Sequence, residues 1–145
     1  MLYIIAIVWL VLDQLTKYYV MKYFFLSESL PIFPNVFHLT YIINRGAAFG
    51  ILENQQWIFL LVAALLIVLY FIYRNKINNG PLLLRISTAL LISGAIGNGI
   101  DRFYLRGVVD FLDFRVWPIF NIADIGICLG VVGVVYYLLR SDSEV

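Results

Sequence analysis

Charged residues are scarce in this chain of 145 residues. Only 13% of the residues are charged, against ~25% in a typical soluble domain, whereas 63% are hydrophobic. A soluble domain of this size has too little interior to bury so much apolar surface. The composition therefore excludes a disordered chain, a fibrous repeat and an ordinary water-soluble enzyme, and it indicates an integral membrane protein.

Cysteine, histidine and net charge are also sparse. The single cysteine, Cys128, cannot form an internal disulfide, and together with the single histidine, His38, it supplies too few ligands for a zinc site. We expect Cys128 to pack as a small apolar residue and His38 to have a structural or surface role. A net charge of +1 offers no concentrated basic surface for nucleic acid. We therefore expect no metal, no cofactor and no nucleic-acid partner.

Four apolar segments are long enough to cross a membrane, which requires roughly 20 helical residues. The predicted spans are about 2–21, 57–73, 82–100 and 119–139. The first span resembles the apolar region of a signal peptide, but no basic residue precedes it and no small-residue cleavage site follows it. We therefore interpret residues 1–145 as a single membrane-embedded domain.

The distribution of basic residues predicts the orientation of the spans. The short loop from Arg74 to Arg85 is basic and contains no acid, so the positive-inside rule assigns it to the cytoplasm. With four spans, both termini are then cytoplasmic, and outer segments at about 22–56 and 101–118 lie on the extracytoplasmic face. Six basic residues lie toward that face, but seven acidic residues accompany them.

The outer segments carry signals for short extended elements. Residues 36–43 are rich in β-branched and aromatic side chains and predict a strand. Residues 108–114 predict a second strand or extended segment near the membrane surface. Gly46 and Gly50 bracket a predicted bend, and residues 51–57 predict a short surface helix.

Ionisable residues within spans cost ~2.5–3.5 kcal/mol each on insertion scales and therefore need an explanation. Asp13 and Lys17 are spaced i,i+4 and either form a local pair or take part in a site. We place Pro118 in the first turn of the fourth span, so that Asp124 lies ~9 Å along that helix. Asp124 is either an interhelical hydrogen-bond clamp, worth ~0.6 kcal/mol, or a functional carboxylate; Asn or Ser would serve as a clamp.

Small residues recur every fourth position in the third and fourth spans and predict that these helices pack closely. They are Ala89, Ser93 and Gly97 in the third span and Gly126 and Gly130 in the fourth. Close packing and a short connection bring Asp110 toward Asp124. Two carboxylates in a poorly solvated place share one proton, so that one can activate a water while the other polarises a carbonyl. This chemistry is that of aspartic proteolysis.

Five sequence motifs, in order along the chain, resemble those of the lipoprotein signal peptidase (signal peptidase II) family of bacterial membrane aspartic peptidases. They are Asp13-Gln14-Leu15-Thr16-Lys17, Asn44-Arg45-Gly46-Ala47-Ala48-Phe49-Gly50, the segment 94–102, Val108-Val109-Asp110-Phe111 and Phe120-Asn121-Ile122-Ala123-Asp124. The resemblance covers nearly the whole chain. It implies an all-α integral membrane protein of four transmembrane helices with a small extracytoplasmic β-cradle and a short amphipathic surface helix.

The resemblance also implies roles for individual residues. Asp110 and Asp124 would form the catalytic dyad, and Asp13 would support the site. The residues implied to line or brace the site are Asn44, Asn98, Arg102 and Asn121. Arg102 would either restrain Asp101 or steady the outer segment.

The implied substrate is a prolipoprotein, cleaved on the amino side of its diacylglyceryl-modified cysteine. The resemblance further implies contact with membrane lipid, inhibition by globomycin at the same cleft, and a monomer. Two features depart from the family pattern, and both affect the rim of the site. Arg45 replaces a small residue or proline, and the stretch between the two dyad aspartates is short.

Two other function classes compete with a peptidase. A small proton-coupled transporter or channel would use Asp13, Lys17 and Asp124 as a relay, but it would spread its charges through the membrane depth. A non-catalytic assembly subunit would use its acids to bind partner helices. The charges of this chain gather toward one face, which favours an interfacial site.

Overall fold

Four helices and three short strands build the protein, as seen in a computed structural model that describes residues 2–46 and 51–142. Their order is α1 (Leu2–Tyr23), β1 (Ser29–Phe33), β2 (Phe37–Asn44), α2 (Gln56–Asn78), α3 (Leu82–Leu105), β3 (Val108–Asp113) and α4 (Ile122–Asp142). Each helix is long and apolar enough to span a membrane. The predicted four-span membrane fold is confirmed. The predicted bend between Gly46 and Gly50 falls largely outside the described residues.

The three strands form one antiparallel sheet in the order β1-β2-β3. The chain enters this sheet from the end of α1 and leaves it for the start of α2, and it returns through β3 between α3 and α4. The sheet therefore lies at one end of the helix bundle, and its buried Val109 and Phe111 pack against Val20 of α1. Both predicted strands are confirmed within one residue of their bounds.

The start of α4 differs from the prediction. Pro118 is not in the first helical turn, because Phe120 instead exchanges backbone hydrogen bonds with Leu112 of β3 and the helix begins at Ile122. Asp124 consequently lies in the first turn of α4 rather than ~9 Å along it.

The predicted surface helix at residues 51–57 is also wrong. Residues 51–54 form turns, and residues 56 and 57 already belong to α2. Leu52 and Asn54 have φ angles of 56° and 62°, which a right-handed helix cannot accommodate. The apolar residues of this segment therefore lie in turns and not in a helix.

Helix α3 is central, because it packs against α1, α2 and α4. A Cβ atom added at Gly94 would overlap the carbonyl oxygen of Ala123, and one added at Gly130 would lie 2.6 Å from the backbone nitrogen of Leu91. The backbones of α3 and α4 therefore approach as closely as glycine allows. The close packing predicted from the small residues is confirmed.

Gly94→Ala should lower the thermal unfolding midpoint of the detergent-solubilised protein, because α3 and α4 must separate to admit the methyl group. We expect a cost of about 1–3 kcal/mol, typical of overpacking. The matched control is Gly99→Ala on the same helix, where the nearest atom to an added Cβ is a Leu60 methyl at 3.9 Å. Equal midpoints for the two variants would contradict the close approach.

Candidate active site

Two carboxylates from different elements face one cavity at the sheet end of the bundle. Asp110 lies in β3 with 1% of its surface exposed, and Asp124 lies in the first turn of α4, partly exposed. The cavity has a volume of about 610 Å³ and is lined by both residues. The structure thus brings together the two aspartates that sequence reasoning paired.

Asn121 connects the two carboxylates. Its side-chain Nδ2 donates to Oδ1 of Asp110 at 2.7 Å, while its backbone N–H donates to Oδ2 of Asp124 at 3.1 Å. Its Oδ1 in turn accepts the backbone N–H of Asp124 at 2.9 Å. The last two bonds form the reciprocal cap of a helix N-terminus. Asn121 therefore caps α4 and also holds the two carboxylates in position relative to each other.

Two further asparagines complete the donor set. Asn98 of α3 donates from Nδ2 to Oδ1 of Asp124 at 2.7 Å, and Asn44 at the end of β2 donates from Nδ2 to Oδ2 of Asp110 at 2.9 Å. With the bonds from Asn121, every oxygen of the two carboxylates accepts a hydrogen bond. This set holds the planes of both carboxylates in place without placing a cation on either.

The electrostatic environment keeps Asp110 protonated to an unusually high pH. Burial and the neighbouring Asp124 carboxylate raise the pKa of Asp110 to about 7, and the hydrogen bonds from Asn44 and Asn121 offset only part of this shift. The pair therefore retains one shared proton near neutral pH. This is the arrangement that acid–base chemistry at two carboxylates requires.

A buried cation, Lys17, is linked to the carboxylate pair through Asn98. Lys17 Nζ lies 2.9 Å from Asp13 and 3.0 Å from Asp101, and it donates to Oδ1 of Asn98 at 2.9 Å. Because Lys17 occupies that oxygen, the amide nitrogen of Asn98 must face Asp124. These charges are clustered at one end of the bundle, unlike the relay through the membrane depth that a transporter would need.

Sequence reasoning left the Asp13–Lys17 pair open between a local contact and a part of the site, and it missed the contacts of Lys17 with Asp101 and Asn98. Asp13 also contacts α4, because its Oδ1 accepts a hydrogen bond from the backbone N–H of Ala123 at 2.8 Å. That N–H belongs to the first turn of α4, where a carboxylate is favoured by the helix dipole. The Asp–Lys spacing signalled the pair, but no sequence signal pointed to these partners across the bundle.

Arg102 lies beside the pair and contacts the outer segment. Its Nη2 donates to the backbone oxygen of Gly46 at 3.3 Å, and its Nη1 donates to that of Asn98 at 3.4 Å. Of its two expected roles, the contact with the outer segment is present. Asp101 is held instead by Lys17 and by the backbone N–H of Val109 at 3.1 Å.

The deeper cavity walls are apolar and come from α2 and α4. Their side chains include Val62, Ala63, Leu66, Ile125, Ile127 and Cys128. Cys128, which we expected to pack as a small apolar residue, is exposed along this wall. His38 lies in β2 with Nδ1 3.1 Å from the Ser29 hydroxyl, away from the pair. Within residues 2–46 and 51–142, no three His, Cys, Asp or Glu side chains are grouped as metal ligands.

Fold and site together define an integral membrane protein with a coupled carboxylate pair at one end of a four-helix bundle. The model of the Signal peptidase (SPase) II family matches residues 5–140. The chain belongs to the signal peptidase II family, and it is a membrane peptidase.

Relatives and solved structures agree with this assignment over almost the full chain. The lipoprotein signal peptidase of Halothermothrix orenii is 44% identical over 143 residues, covering 99% of this chain and 98% of the relative. That of Clostridioides difficile is 47% identical over 149 residues, covering 99% of each. A solved structure of a bacterial membrane enzyme matches with a TM-score of 0.90 at 31% identity, covering 99% of this chain and 90% of that one.

Proposed function

We propose that Asp110 and Asp124 are the catalytic pair of an aspartic endopeptidase that removes signal peptides from prolipoproteins. The observation that carries this proposal is the placement of two carboxylates in one cavity, tied by Asn121, with the pKa of Asp110 at about 7. A pair that holds one proton near neutral pH contains both a general base and a general acid. The hydrogen bonds from Asn44, Asn98 and Asn121 hold the two carboxyl groups in position.

The reaction needs a water between the carboxylates and the scissile peptide. The ionised carboxylate takes a proton from this water, whose oxygen attacks the carbonyl carbon, while the protonated carboxyl donates to the carbonyl oxygen. The tetrahedral intermediate then breaks its C–N bond. The carboxyl that took the proton from water donates it to the leaving amine nitrogen, and the other carboxylate takes a proton back from a hydroxyl of the intermediate. Each carboxylate returns to its starting state, so no metal or cofactor is required.

The apolar cavity walls suit a substrate that resides in the bilayer. Side chains from α2 and α4 offer an apolar path from the surrounding lipid to the carboxylates. We infer that the signal helix and the diacylglyceryl chains occupy this path, with cleavage on the amino side of the modified cysteine. The enzyme would work as a monomer in contact with membrane lipid, and globomycin would inhibit it by filling the same cavity.

The test is turnover of a purified lipidated prolipoprotein by the purified protein. We expect cleavage directly before the lipidated cysteine, and loss of cleavage with globomycin. Turnover should fall as the pH rises through about 7, because the pair then loses the proton that its general acid must donate. Equal cleavage of the unlipidated precursor, or a cut elsewhere, would contradict the proposal.

We infer that the sheet and the carboxylate pair face the outside of the cell membrane. The basic loop between α2 and α3 lies at the opposite end of the bundle from the sheet, and the positive-inside rule assigns it to the cytoplasm. A reporter fused after Val145 should therefore report a cytoplasmic location, and one inserted at Asn35 an extracytoplasmic location. The reverse pattern would overturn the orientation.

A further inference from the structure

The guanidinium of Arg102 is close to several carboxylates but bonded to none of them. Asp124, Asp110 and Asp101 all act on it electrostatically. Nevertheless, the ion pairs among residues 2–46 and 51–142 join Lys17 to Asp13 and Asp101, and Arg115 to Asp113. A long, flexible arginine beside two carboxylates would ordinarily form a bidentate pair with one of them. Something in the site must restrain it.

The hydrogen bonds of Arg102 are a weak restraint. Its bonds to the backbone oxygens of Asn98 and Gly46 measure 3.4 and 3.3 Å, beyond the usual range of about 2.7–3.2 Å for such bonds. Its Nε atom is buried, with no partner among the described residues. These contacts alone leave the guanidinium free to turn toward the carboxylates.

A stronger restraint comes from α2. The Phe59 ring lies against the guanidinium, with Cζ of Arg102 4.2 Å from the ring centroid. Both residues line the cavity that contains the carboxylate pair. A cation held on an aromatic face in a poorly solvated site gains attraction and loses the freedom to rotate toward another partner.

We propose that Phe59 is a positioning residue, which holds the Arg102 guanidinium beside the catalytic pair and prevents an ion pair with either aspartate. The inference rests on the proposed role of Asp110 and Asp124. Held at this distance, the positive charge stabilises the single negative charge of the pair. In direct contact it would instead favour ionisation of both carboxylates and remove the proton that the reaction donates.

The test compares Phe59→Leu, which removes the aromatic face, with Phe59→Tyr, which keeps it. We expect kcat of the Leu variant to fall between about twofold and 30-fold, as the strength of an arginine–aromatic contact implies, with a smaller change in KM. The Tyr variant should stay close to the wild-type protein. The matched control is Phe71→Leu on the same helix, whose side chain is 58% exposed, and it should leave kcat unchanged.

Two further measurements separate this role from simple packing. The alkaline limb of the pH–kcat profile should move to lower pH in Phe59→Leu. The charged groups nearest the pair are Arg102 and Asp101 of α3 and Lys17 and Asp13 of α1, and among residues 2–46 and 51–142 the cation that lies over the Phe59 ring is Arg102. In an Arg102→Lys background, which has no planar group to stack, Phe59→Leu should cost much less. The wild-type protein, the two single variants and the double variant are also compared by thermal unfolding. This double-mutant cycle remains informative if Arg102→Lys turns over slowly.

The inference fails if Phe59→Tyr is as impaired as Phe59→Leu, if the pH profile stays fixed, or if the two substitutions are additive. Failure of the catalytic pair itself would look different. Full turnover by Asp110→Asn would contradict the catalytic role of the pair. An inactive Asp110→Asn together with wild-type kcat in Phe59→Leu would contradict only the proposed role of Phe59.

Discussion

Asp110→Asn and Asp124→Asn should each reduce turnover of a lipidated prolipoprotein by ~10³-fold or more, while the protein still inserts and folds. Either change leaves an amide that can neither take a proton from water nor donate one to a carbonyl as a carboxyl does. Asn44 and Asn121 donate to different oxygens of Asp110, so an asparagine at position 110 keeps an acceptor for one of them, and folding should survive the loss of the other bond. The measurement is single-turnover cleavage together with a thermal unfolding curve in detergent.

The matched control for this experiment lies on the same strand. Asp113 of β3 is buried but binds Thr40 at 2.8 Å and Arg115 at 2.9 Å, outside the cavity lining. Asp113→Asn keeps an acceptor for both partners and should turn over near the wild-type rate. Near-normal turnover in Asp110→Asn or Asp124→Asn would show that the pair is not the chemical centre.

Lys17→Met should lower the free energy of unfolding by about 3–5 kcal/mol, the range for breaking a buried ion pair from one side. Lys17 is 1% exposed and forms ion pairs with both Asp13 and Asp101, which are 0% and 5% exposed. Without it two buried carboxylates lose their counter-charge. The measurement is the unfolding midpoint of the purified protein in detergent.

Two further variants show whether the loss of stability comes from the buried ion pairs. Lys22→Met removes an exposed lysine in the last turn of the same helix and should change little. Adding Asp13→Asn to Lys17→Met should recover part of the lost stability, because one uncompensated carboxylate disappears. If Lys17→Met and Lys22→Met unfold at the same temperature, the buried network contributes nothing.

The features predictable from sequence were those with a local pattern. Apolar length revealed the four spans, β-branched runs revealed two strands, and the repeat of small residues revealed the contact of α3 with α4. The pairing of Asp110 with Asp124 followed from that contact and a short connection. Each of these depends on residues that are near in sequence or periodic along one helix.

The errors arose where distant residues decide the local structure. Helix α4 starts three residues later than predicted because Phe120 pairs with Leu112 across the loop. The predicted surface helix is replaced by turns, in which the backbone N–H of Asn54 bonds to the carbonyl oxygen of Arg45 at 2.9 Å. Neither effect leaves a period in the sequence, and the contacts of Lys17 with Asn98 and Asp101 cross between α1 and α3 in the same way.

The N-terminal cap of α4 limits which substitutions the active site can tolerate. The bonds that begin the helix at Asn121 and Asp124 are also bonds that orient the carboxylate pair. A substitution that strengthens or weakens this helix terminus therefore alters the geometry of the reacting groups at the same time. Stability and rate are coupled at this point, so thermostable relatives should gain their stability elsewhere, for instance along the lipid-facing sides of α1 and α2.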